Sequence, residues 1–405
     1  MFNPFRPDST PSVKSEFTPR RMSSSSPTRV PVLLMVRALG IGGTERQLVE
    51  TARLLPRERF IPHVGCFRPN GLRRAELESA GIPILHLPLY SLGSRALFPV
   101  ATQFVRYLRQ HQIQVVHSFD APLNIFAVPI ARMAGIPAVL SSQRGNRDLT
   151  GTRDKRLLRI TDRLTHAVVV NCDAMRRYLV EEEGVSASKI HLCYNAVDVE
   201  QFRRKPTKTR WPGRSVIGVV CALRPEKRLE TLIRAFAKLR KDAMLVIVGS
   251  GPEESGLKAL VSELGIGESC HFEPATYDVA WWLNQIDIFV LPSRTEAFSN
   301  SLMEAMACSC CVIATRVGGN TELIDDGTNG LLFEVDNVPQ LTGQLEAVLT
   351  DNARSKQMGL AASAKMAEQF THSRAAATMQ QIYESLLLDA RRKRHAPATS
   401  TGEHL

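Results

Sequence analysis

The sequence lacks several features that would assign it to common classes of protein. It contains no Asp-x-Asp pattern of paired carboxylates, so we expect no divalent metal ion and no cofactor. Its longest apolar stretch, about Ile125–Leu140, is interrupted by Arg132 and two prolines and falls short of a membrane-spanning helix. No basic segment followed by an apolar one marks a signal peptide, so we expect a cytoplasmic protein.

The cysteines and the net charge further restrict the classes of protein to which this chain can belong. The eight cysteines do not suggest a disulfide framework, since several, such as Cys66 and Cys172, lie within apolar segments. Cys308, Cys310 and Cys311 form a closer group, but with no His nearby we expect them to pack as small apolar residues. No basic stretch with interleaved aromatics indicates nucleic acid. The net charge of +11 favours an anionic partner, such as a phosphorylated substrate or a membrane surface.

Short apolar runs alternate with amphipathic segments of helical length along most of the chain. Val115–Phe119 and Ile288–Leu291 are typical of buried parallel strands, and Glu45–Leu55 is typical of a helix between strands. Two such series predict an α/β protein of two doubly wound, Rossmann-like domains facing each other across a cleft. The predicted division is a disordered basic tail at 1–28, an N-terminal domain at 29–200, a linker at 201–214, a C-terminal domain at 215–372, a helix at 373–390 packing back toward the N-terminal domain, and a tail at 391–405.

The most informative segment is Ser293–Ala307, which follows a predicted strand. Ser299 or Asn300 can cap a helix there, and the free N–H groups and positive dipole end of that helix suit a diphosphate. Glu304 would lie in the first turns of the helix, within reach of ribose hydroxyls, and Glu296 would precede it, within reach of a hexose. The alternative is that both glutamates are solvated surface charges. With the strand and the capping residues in place, we predict a nucleotide-sugar site.

A glycine-rich turn, Gly40–Gly43, follows the first predicted strand. Without Cβ atoms at Gly42 and Gly43 the backbone can approach a phosphate or a sugar, although a tight strand-to-helix turn would use the same residues. The turn lacks the full G-x-G-x-x-G spacing of a dinucleotide site, which argues against an oxidoreductase.

Taken together, these segments resemble the motifs of retaining glycosyltransferases of family 4, which have the GT-B fold. The resemblance covers nearly the whole chain between its tails, and five segments carry it, in the order and spacing of the family: Gly42–Arg46, Tyr194–Asp198 with Ala196 in place of glycine, Val248–Pro252, Glu296–Glu304 and Val317–Glu322. It implies that the donor is bound by Gly42, Gly43, Asn195, Gly249, Gly251, Phe298, Ser299, Asn300, Ser301, Leu302 and Glu304.

The resemblance also implies basic residues at the donor diphosphate. Lys227 corresponds to the phosphate-binding lysine of the family, whereas Ala222 stands where an arginine is usual. Arg224 lies two positions further on and can bind phosphate bidentately in its place, or it is a solvated surface charge. We therefore predict Glu296, Lys227 and Arg224 as the catalytic residues, without a protein nucleophile or base.

The N-terminal half departs further from the family. Many members have a His near the transferred sugar where this chain has Gln143 and Arg144. His117 corresponds to a different family histidine, at the end of the preceding strand, where a structural hydrogen-bonding role is the alternative. We predict that His117, Gln143 and Arg144 contribute to an acceptor or sugar site.

A basic amphipathic segment covers Arg144–Arg163, with Leu157, Leu158, Ile160 and Leu164 interleaved among seven basic residues, of which Arg147 is one. Such a segment can lie on an anionic bilayer. It can equally pack on the N-terminal sheet with a solvated basic face.

The resemblance implies transfer of a hexose from a UDP- or GDP-sugar to a hydroxyl of a saccharide or lipid-linked acceptor, with retention of anomeric configuration. The expected setting is polysaccharide, lipopolysaccharide or glycolipid synthesis at the inner face of a membrane. Two alternatives remain. One is a nucleotide-sugar epimerase or hydrolase on the same fold. The other is a non-catalytic scaffold, which Ala222 and the missing His favour and the intact Glu296 and Glu304 pair opposes.

Overall fold

The structure is a computed structural model that describes residues 29–395 except 41, 146, 148, 149 and 241. The predicted basic tail at 1–28 and the end of the predicted C-terminal tail, 396–405, lie outside the described residues. Two parallel sheets, each with helices on both faces, face one another across a cleft, which confirms the predicted fold class of two Rossmann-like domains.

The N-terminal sheet has seven strands in the order β3-β2-β1-β4-β5-β6-β7, all paired in parallel. Its strands are nearly continuous apolar runs, as expected for a sheet covered on both faces. The elements are β1 Val30–Ala38, α1 Gly43–Leu54, β2 Phe60–Arg68, α2 Leu72–Ser79, β3 Ile84–His86, α3 Leu97–Gln110, β4 Val115–Ser118, α4 Ala121–Met133, β5 Ala138–Gln143, α5 Thr152–Leu164, β6 Ala167–Val170, α6 Asp173–Glu181 and β7 Ile190–Leu192.

The C-terminal sheet has six parallel strands in the order β10-β9-β8-β11-β12-β13. The elements are β8 Ser215–Val220, α7 Leu229–Phe236, β9 Ala243–Val248, α8 Glu254–Glu263, β10 Cys270–Glu273, α9 Val279–Leu283, β11 Ile288–Leu291, α10 Asn300–Ala307, β12 Cys311–Thr315, α11 Asn320–Leu323, β13 Leu331–Phe333, α12 Val338–Thr350, α13 Asn352–Gln369 and α14 His372–His395.

The strand order determines where the candidate site lies. In each sheet the chain order reverses beside the first strand of the domain, between β1 and β4 and between β8 and β11. Loops that leave the carboxyl ends of such neighbouring strands diverge and open a crevice. The crevices of the two domains face each other, so residues far apart in sequence meet in one cleft.

Helix α14 returns from the C-terminal domain and packs on the N-terminal one. Tyr383 and Leu387 join the apolar core that also contains Leu48 of α1 and Val32 of β1. The helix continues to His395, so it includes five residues of the segment predicted as a tail. The predicted linker also has fixed contacts, since Phe202 is buried and Lys205 N–H donates to Asn284 Oδ1 at 2.7 Å.

Helix α5 takes up much of the basic amphipathic segment. Leu158 is fully buried, whereas Ile160 is 50% exposed. The inclusion of Arg147 in a basic surface was wrong, because its side chain is 1% exposed and lies 2.8 Å from Asp162 in an ion pair. Burial of one charge with a carboxylate partner explains the difference. Within the described ranges, no helix combines the length and apolar character needed to cross a bilayer.

Candidate active site

A cleft of about 630 Å³ lies between the two domains. Its walls combine the turn before α1, the ends of β4, β5 and β6, the loop after β8 and the N-terminus of α10. Twelve of the predicted site residues meet there: Gly42, Gly43, Arg144, Asn195, Arg224, Lys227, Glu296, Phe298, Ser299, Asn300, Ser301 and Glu304.

The N-terminus of α10 faces the cleft. Ser299 caps the helix, and its Oγ accepts a hydrogen bond from the amide of Leu302 at 3.3 Å. That amide is therefore occupied, and the Leu302 side chain is fully buried in the core rather than in the cleft. The amides of Asn300 and Ser301, the first two residues of the helix, have no acceptor within it, and both residues line the cleft. This helix end is suited to an anion.

Glu296 and Lys227 form an ion pair in the same wall. Lys227 Nζ lies 2.5 Å from Glu296 Oε1, and the two side chains are 18% and 10% exposed. Ser293 Oγ donates a second hydrogen bond to the same carboxylate oxygen at 2.7 Å. Burial alone would lower the pKa of the Lys227 ammonium, but Glu296 outweighs it and the pKa is raised. Lys227 is therefore a permanent positive charge in the cleft.

Glu304 is held by a residue of the other domain. Its carboxylate forms an ion pair with the guanidinium of Arg46 in α1, and Glu304 is only 4% exposed. Burial, and then the nearby Arg73, lower the pKa of Arg46 to about 10, so it stays charged at neutral pH. The carboxylate predicted to meet a ribose is thus engaged by an arginine of the opposite wall.

The glycines after β12 hold the Glu296 loop in place. A Cβ on Gly318, whose φ is +47°, would lie 1.8 Å from the carbonyl oxygen of Glu296. One on Gly319 would lie 2.2 Å from the carbonyl oxygen of Ala297, to which the Gly319 amide donates at 2.7 Å. The family-like glycine pair therefore serves backbone packing behind the site.

Of the other predicted glycines, some line a cleft and one packs against the backbone outside it. A Cβ on Gly43 would lie 2.6 Å from Asn300 Nδ2, so this glycine lets α1 and α10 approach closely. Gly249 lines an adjoining cleft of about 580 Å³ that shares Arg224 with the first. Gly251 lines neither cleft. It packs on the backbone, where a Cβ would lie 2.2 Å from the carbonyl oxygen of Leu223.

Arg224 lines both clefts and its side chain is 64% exposed; the one ion pair it makes with a described residue is a distant one, 3.9 Å, to Glu226. Ala222, which stands where the family has arginine, lines the same walls. Arg224 is therefore placed where it can reach a ligand that Ala222 cannot hold.

Two of the residues predicted in the N-terminal half do not line the cleft. His117 is fully buried, with Nδ1 2.8 Å from the Tyr383 hydroxyl and Nε2 2.8 Å from Ser142 Oγ. Its surroundings lower its pKa well below the usual value, chiefly by burial, so it is a neutral structural residue. Gln143 is 8% exposed and donates to the Gly145 carbonyl at 2.6 Å. The side chains of His117 and Gln143 therefore lie behind the cleft and not in its wall.

Arg144 does line the cleft and links the domains. Its Nη1 donates to Asn195 Oδ1 at 2.8 Å, and its guanidinium lies 4.8 Å from the centre of the Phe119 ring. Asn195 Nδ2 in turn donates to Asn300 Oδ1 at 2.9 Å. A chain of polar contacts thus connects the N-terminal sheet with the first residue of α10.

Several polar residues of the cleft were given no role from the sequence, among them Arg46, Asp120 and Asn171. Asp120 follows β4 and caps α4, accepting from the amides of Leu123 and Arg37 at 3.1 and 2.6 Å. Burial raises its pKa to about 6 in spite of these bonds. Its position directly after a strand and before a proline-containing helix start was the available signal. Asn171 Oδ1 is buried without a partner among the described residues.

Comparison with known families gives two adjoining matches. Residues 41–201 match the model of Glycosyltransferase Family 4, and residues 201–365 match that of Glycosyl transferases group 1. A curated relative in Mycolicibacterium smegmatis, GDP-mannose-dependent alpha-(1-6)-phosphatidylinositol monomannoside mannosyltransferase, is 30% identical over 291 residues, 65% of this chain and 74% of the relative. The chain belongs to glycosyltransferase family 4.

Other curated relatives are matched over shorter lengths. N-acetylgalactosamine-N,N'-diacetylbacillosaminyl-diphospho-undecaprenol 4-alpha-N-acetylgalactosaminyltransferase of Campylobacter jejuni is 34% identical over 179 residues, 44% of this chain and 49% of that enzyme. The chain spans about half the length of several curated relatives that it matches.

Solved structures support the fold. Anabaena HepE in complex with UDP-glucose superposes with a TM-score of 0.78 at 19% identity, covering 88% of this chain and all of HepE. WaaG, a glycosyltransferase involved in lipopolysaccharide biosynthesis, has a TM-score of 0.68 at 15% identity, with coverages of 88% and 99%. The two facing domains are therefore the GT-B fold.

Proposed function

We propose that this protein is a glycosyltransferase that moves a hexose from a nucleotide diphosphate sugar to an acceptor hydroxyl. The observation that carries the proposal is the convergence of Glu296, Lys227 and Glu304 around the open N-terminus of α10 in one cleft. Membership of family 4 and the UDP-glucose bound by HepE support a nucleotide-sugar as donor.

In this proposal each charged residue of the cleft has its own role. The Lys227 ammonium, the exposed Arg224 guanidinium and the first amides of α10 stabilise the departing diphosphate. Glu296 orients the hexose, and Glu304 exchanges Arg46 for the hydroxyls of the ribose. The adjoining cleft next to Gly249 leaves room for the rest of the nucleoside. We propose UDP or GDP as the nucleotide.

We further propose retention of anomeric configuration without a metal ion. The acceptor hydroxyl attacks the anomeric carbon from the face that the diphosphate leaves. The new bond forms as the bond to the phosphate oxygen breaks, and the β-phosphate takes the proton of the hydroxyl. No side chain has to act as base, and Lys227 and Arg224 supply the positive charge that balances the leaving group. Full activity in EDTA, with the product anomer assigned by NMR, is the expected result.

We propose that the acceptor binds at the N-terminal wall of the cleft, which Arg144, Asp120 and Asn171 line. We propose a saccharide or lipid-linked acceptor, by analogy with the phosphatidylinositol mannoside and undecaprenol-linked substrates in the names of two relatives. We propose that the protein works in the cytoplasm and that exposed Arg153, Arg156 and Ile160 of α5 contact an anionic membrane. Flotation with anionic and neutral liposomes tests the contact, and equal recovery with both would contradict it.

Thermal-shift titration of the purified protein with UDP, GDP, ADP and their sugars tests the proposed function. We expect one nucleotide family to raise the melting temperature, since a ligand that binds the native state stabilises it. Release of free sugar from the preferred donor without any acceptor would instead indicate a hydrolase. No shift with any nucleotide would refute the donor site and favour a non-catalytic scaffold.

A further inference from the structure

A second large depression lies at the opposite end of the C-terminal sheet. It encloses about 750 Å³ between the linker, the turn before β11, and the junction of α12 and α13. Ser215 and Ile288, which begin β8 and β11, line it, so it opens at the amino ends of the strands whose carboxyl ends form the active-site cleft. We call this depression the linker trench.

The linker trench is built from fixed backbone. The linker is tied to the turn before β11 by hydrogen bonds from Lys205 N to Asn284 Oδ1 at 2.7 Å and from Arg210 N to Gln285 Oε1 at 3.0 Å. Arg204 Nη1 adds a bond to the Ile286 carbonyl at 2.9 Å. These contacts make the trench a preformed groove rather than a gap between independent segments.

The charge of the linker trench is unbalanced. Among its described lining residues there are four basic side chains, Arg204, Lys205, Arg214 and Lys356, against a single acidic one, Asp287. Asp287 is already engaged by Arg204 at 3.3 Å and by the amide of Val216 at 3.0 Å. No described acidic residue pairs with Lys205 or Lys356, so two ammonium groups remain for a ligand.

Two residues that line the linker trench also carry a buried donor that has no partner among the described residues. Gln285 is 3% exposed and its Nε2 has no hydrogen-bond partner among the described residues. The bond from Arg210 N fixes Gln285 Oε1 as the acceptor, so the orphan atom is a donor. Arg214 Nε is also unpaired, while its Nη2 is bound to Asp242 at 2.7 Å. Buried donors without partners call for acceptor oxygens.

We propose that the linker trench is a second binding site, separate from the catalytic cleft, for a small molecule that carries phosphate. A phosphate group offers several acceptor oxygens and negative charge at once, which matches a lining that combines unpaired ammonium groups with N–H donors that lack partners. The site holds the linker against the turn that leads into β11. Binding at this second site does not depend on what the catalytic cleft binds.

Calorimetric titration with inorganic pyrophosphate tests the proposal. It is run on the Lys227→Ala protein, which lowers binding in the catalytic cleft. Adding Lys205→Ala and Lys356→Ala should raise the Kd at least tenfold. A matched pair, Lys208→Ala with Lys238→Ala, removes the same charge from exposed positions outside the trench and should leave the Kd within twofold. Equal weakening in both pairs, or none in the first, would overturn the proposal.

The Gln285→Glu variant provides an independent test of the same binding site. It keeps an oxygen to accept from Arg210 N and replaces the orphan donor with an anionic oxygen, so pyrophosphate binding should again fall at least tenfold. Undiminished binding in this variant would contradict the site. Titrations of glucose 6-phosphate and AMP against the same variants separate a sugar phosphate from a nucleotide. If no phosphate compound distinguishes the trench variants from the matched pair, the proposal fails.

Discussion

Arg46 and Glu304 form an ion pair that joins the first helix of one domain to α10 of the other, across the cleft. The glutamate is almost completely buried, and the arginine side chain is 25% exposed. A buried carboxylate needs a partner, and here the partner comes from the opposite wall. Donor binding in our proposal therefore exchanges one partner of Glu304 for another.

This exchange predicts different effects for the two members of the pair. Glu304→Ala should raise the Kd for the preferred nucleotide at least tenfold. Arg46→Ala should bind that nucleotide at least as tightly as the wild type, because no ion pair has to break. It should also lose about 1–3 kcal/mol in the free energy of unfolding, since Glu304 is left unpaired. Calorimetry and urea unfolding measure the two quantities. Equal losses of affinity in both variants would contradict the exchange.

The Lys227 and Glu296 pair should matter for turnover. Lys227→Ala removes the partly buried positive charge that faces the leaving diphosphate, and we expect kcat to fall by about 10²- to 10³-fold. Arg294→Ala, next to the same loop but 63% exposed, is the matched control and should change kcat less than twofold. Initial-rate measurements at saturating donor check this. A comparable fall in the control would point to disruption of the loop instead.

Gly318 should be intolerant of any side chain. Gly318→Ala places a Cβ against the Glu296 carbonyl and in an unfavourable φ region, so both the free energy of unfolding and the transfer rate should fall. Gly343, within α12, has open space around its Cβ position. Gly343→Ala should therefore stabilise the protein by about 1 kcal/mol and leave the rate unchanged. Urea unfolding and rate assays of both variants test the contrast.

Asp120 should give a characteristic dependence of stability on pH. Its pKa is raised to about 6 in the folded state from 3.8, so between these values the folded protein binds more protons than the unfolded chain. The contribution of Asp120 to stability is therefore greatest at low pH and declines as pH rises from about 4 to 6. Asp120→Asn should remove up to about 3 kcal/mol of this dependence. Urea unfolding of both proteins at several pH values gives the difference, and parallel curves would contradict it.

The Tyr383 hydroxyl should contribute to the stability of the protein but not to nucleotide binding. Tyr383→Phe removes the hydroxyl bonded to His117 Nδ1, and we expect the free energy of unfolding to fall by about 1–2 kcal/mol. Neither residue lines the cleft, so the nucleotide Kd should not change. Thermal melting with and without nucleotide measures both. A variant of normal stability that binds the sugar of the donor or the acceptor more weakly would instead support the acceptor or sugar site predicted for His117.

Strands could be predicted from the sequence wherever burial on both faces leaves an unbroken apolar run. The bounds of β11, Ile288–Leu291, were predicted as the structure has them, and Ser299 was correctly considered as the cap of α10. The edge strand β3, Ile84–His86, was missed because three residues between prolines are too short for a periodic pattern. Arg147 was misplaced because its buried carboxylate partner lies fifteen residues away in sequence, on α5.

The sequence alone determined the two parallel sheets, the helix end after Phe298 and the pair of glutamates around it, because these depend on local patterns of burial, capping and turn formation. Only the tertiary structure decided that Arg46 meets Glu304, that His117 and Gln143 lie behind the cleft, and that the linker forms a basic trench. Such contacts join segments whose separation along the chain leaves no local pattern, and packing of the domains brings them within reach.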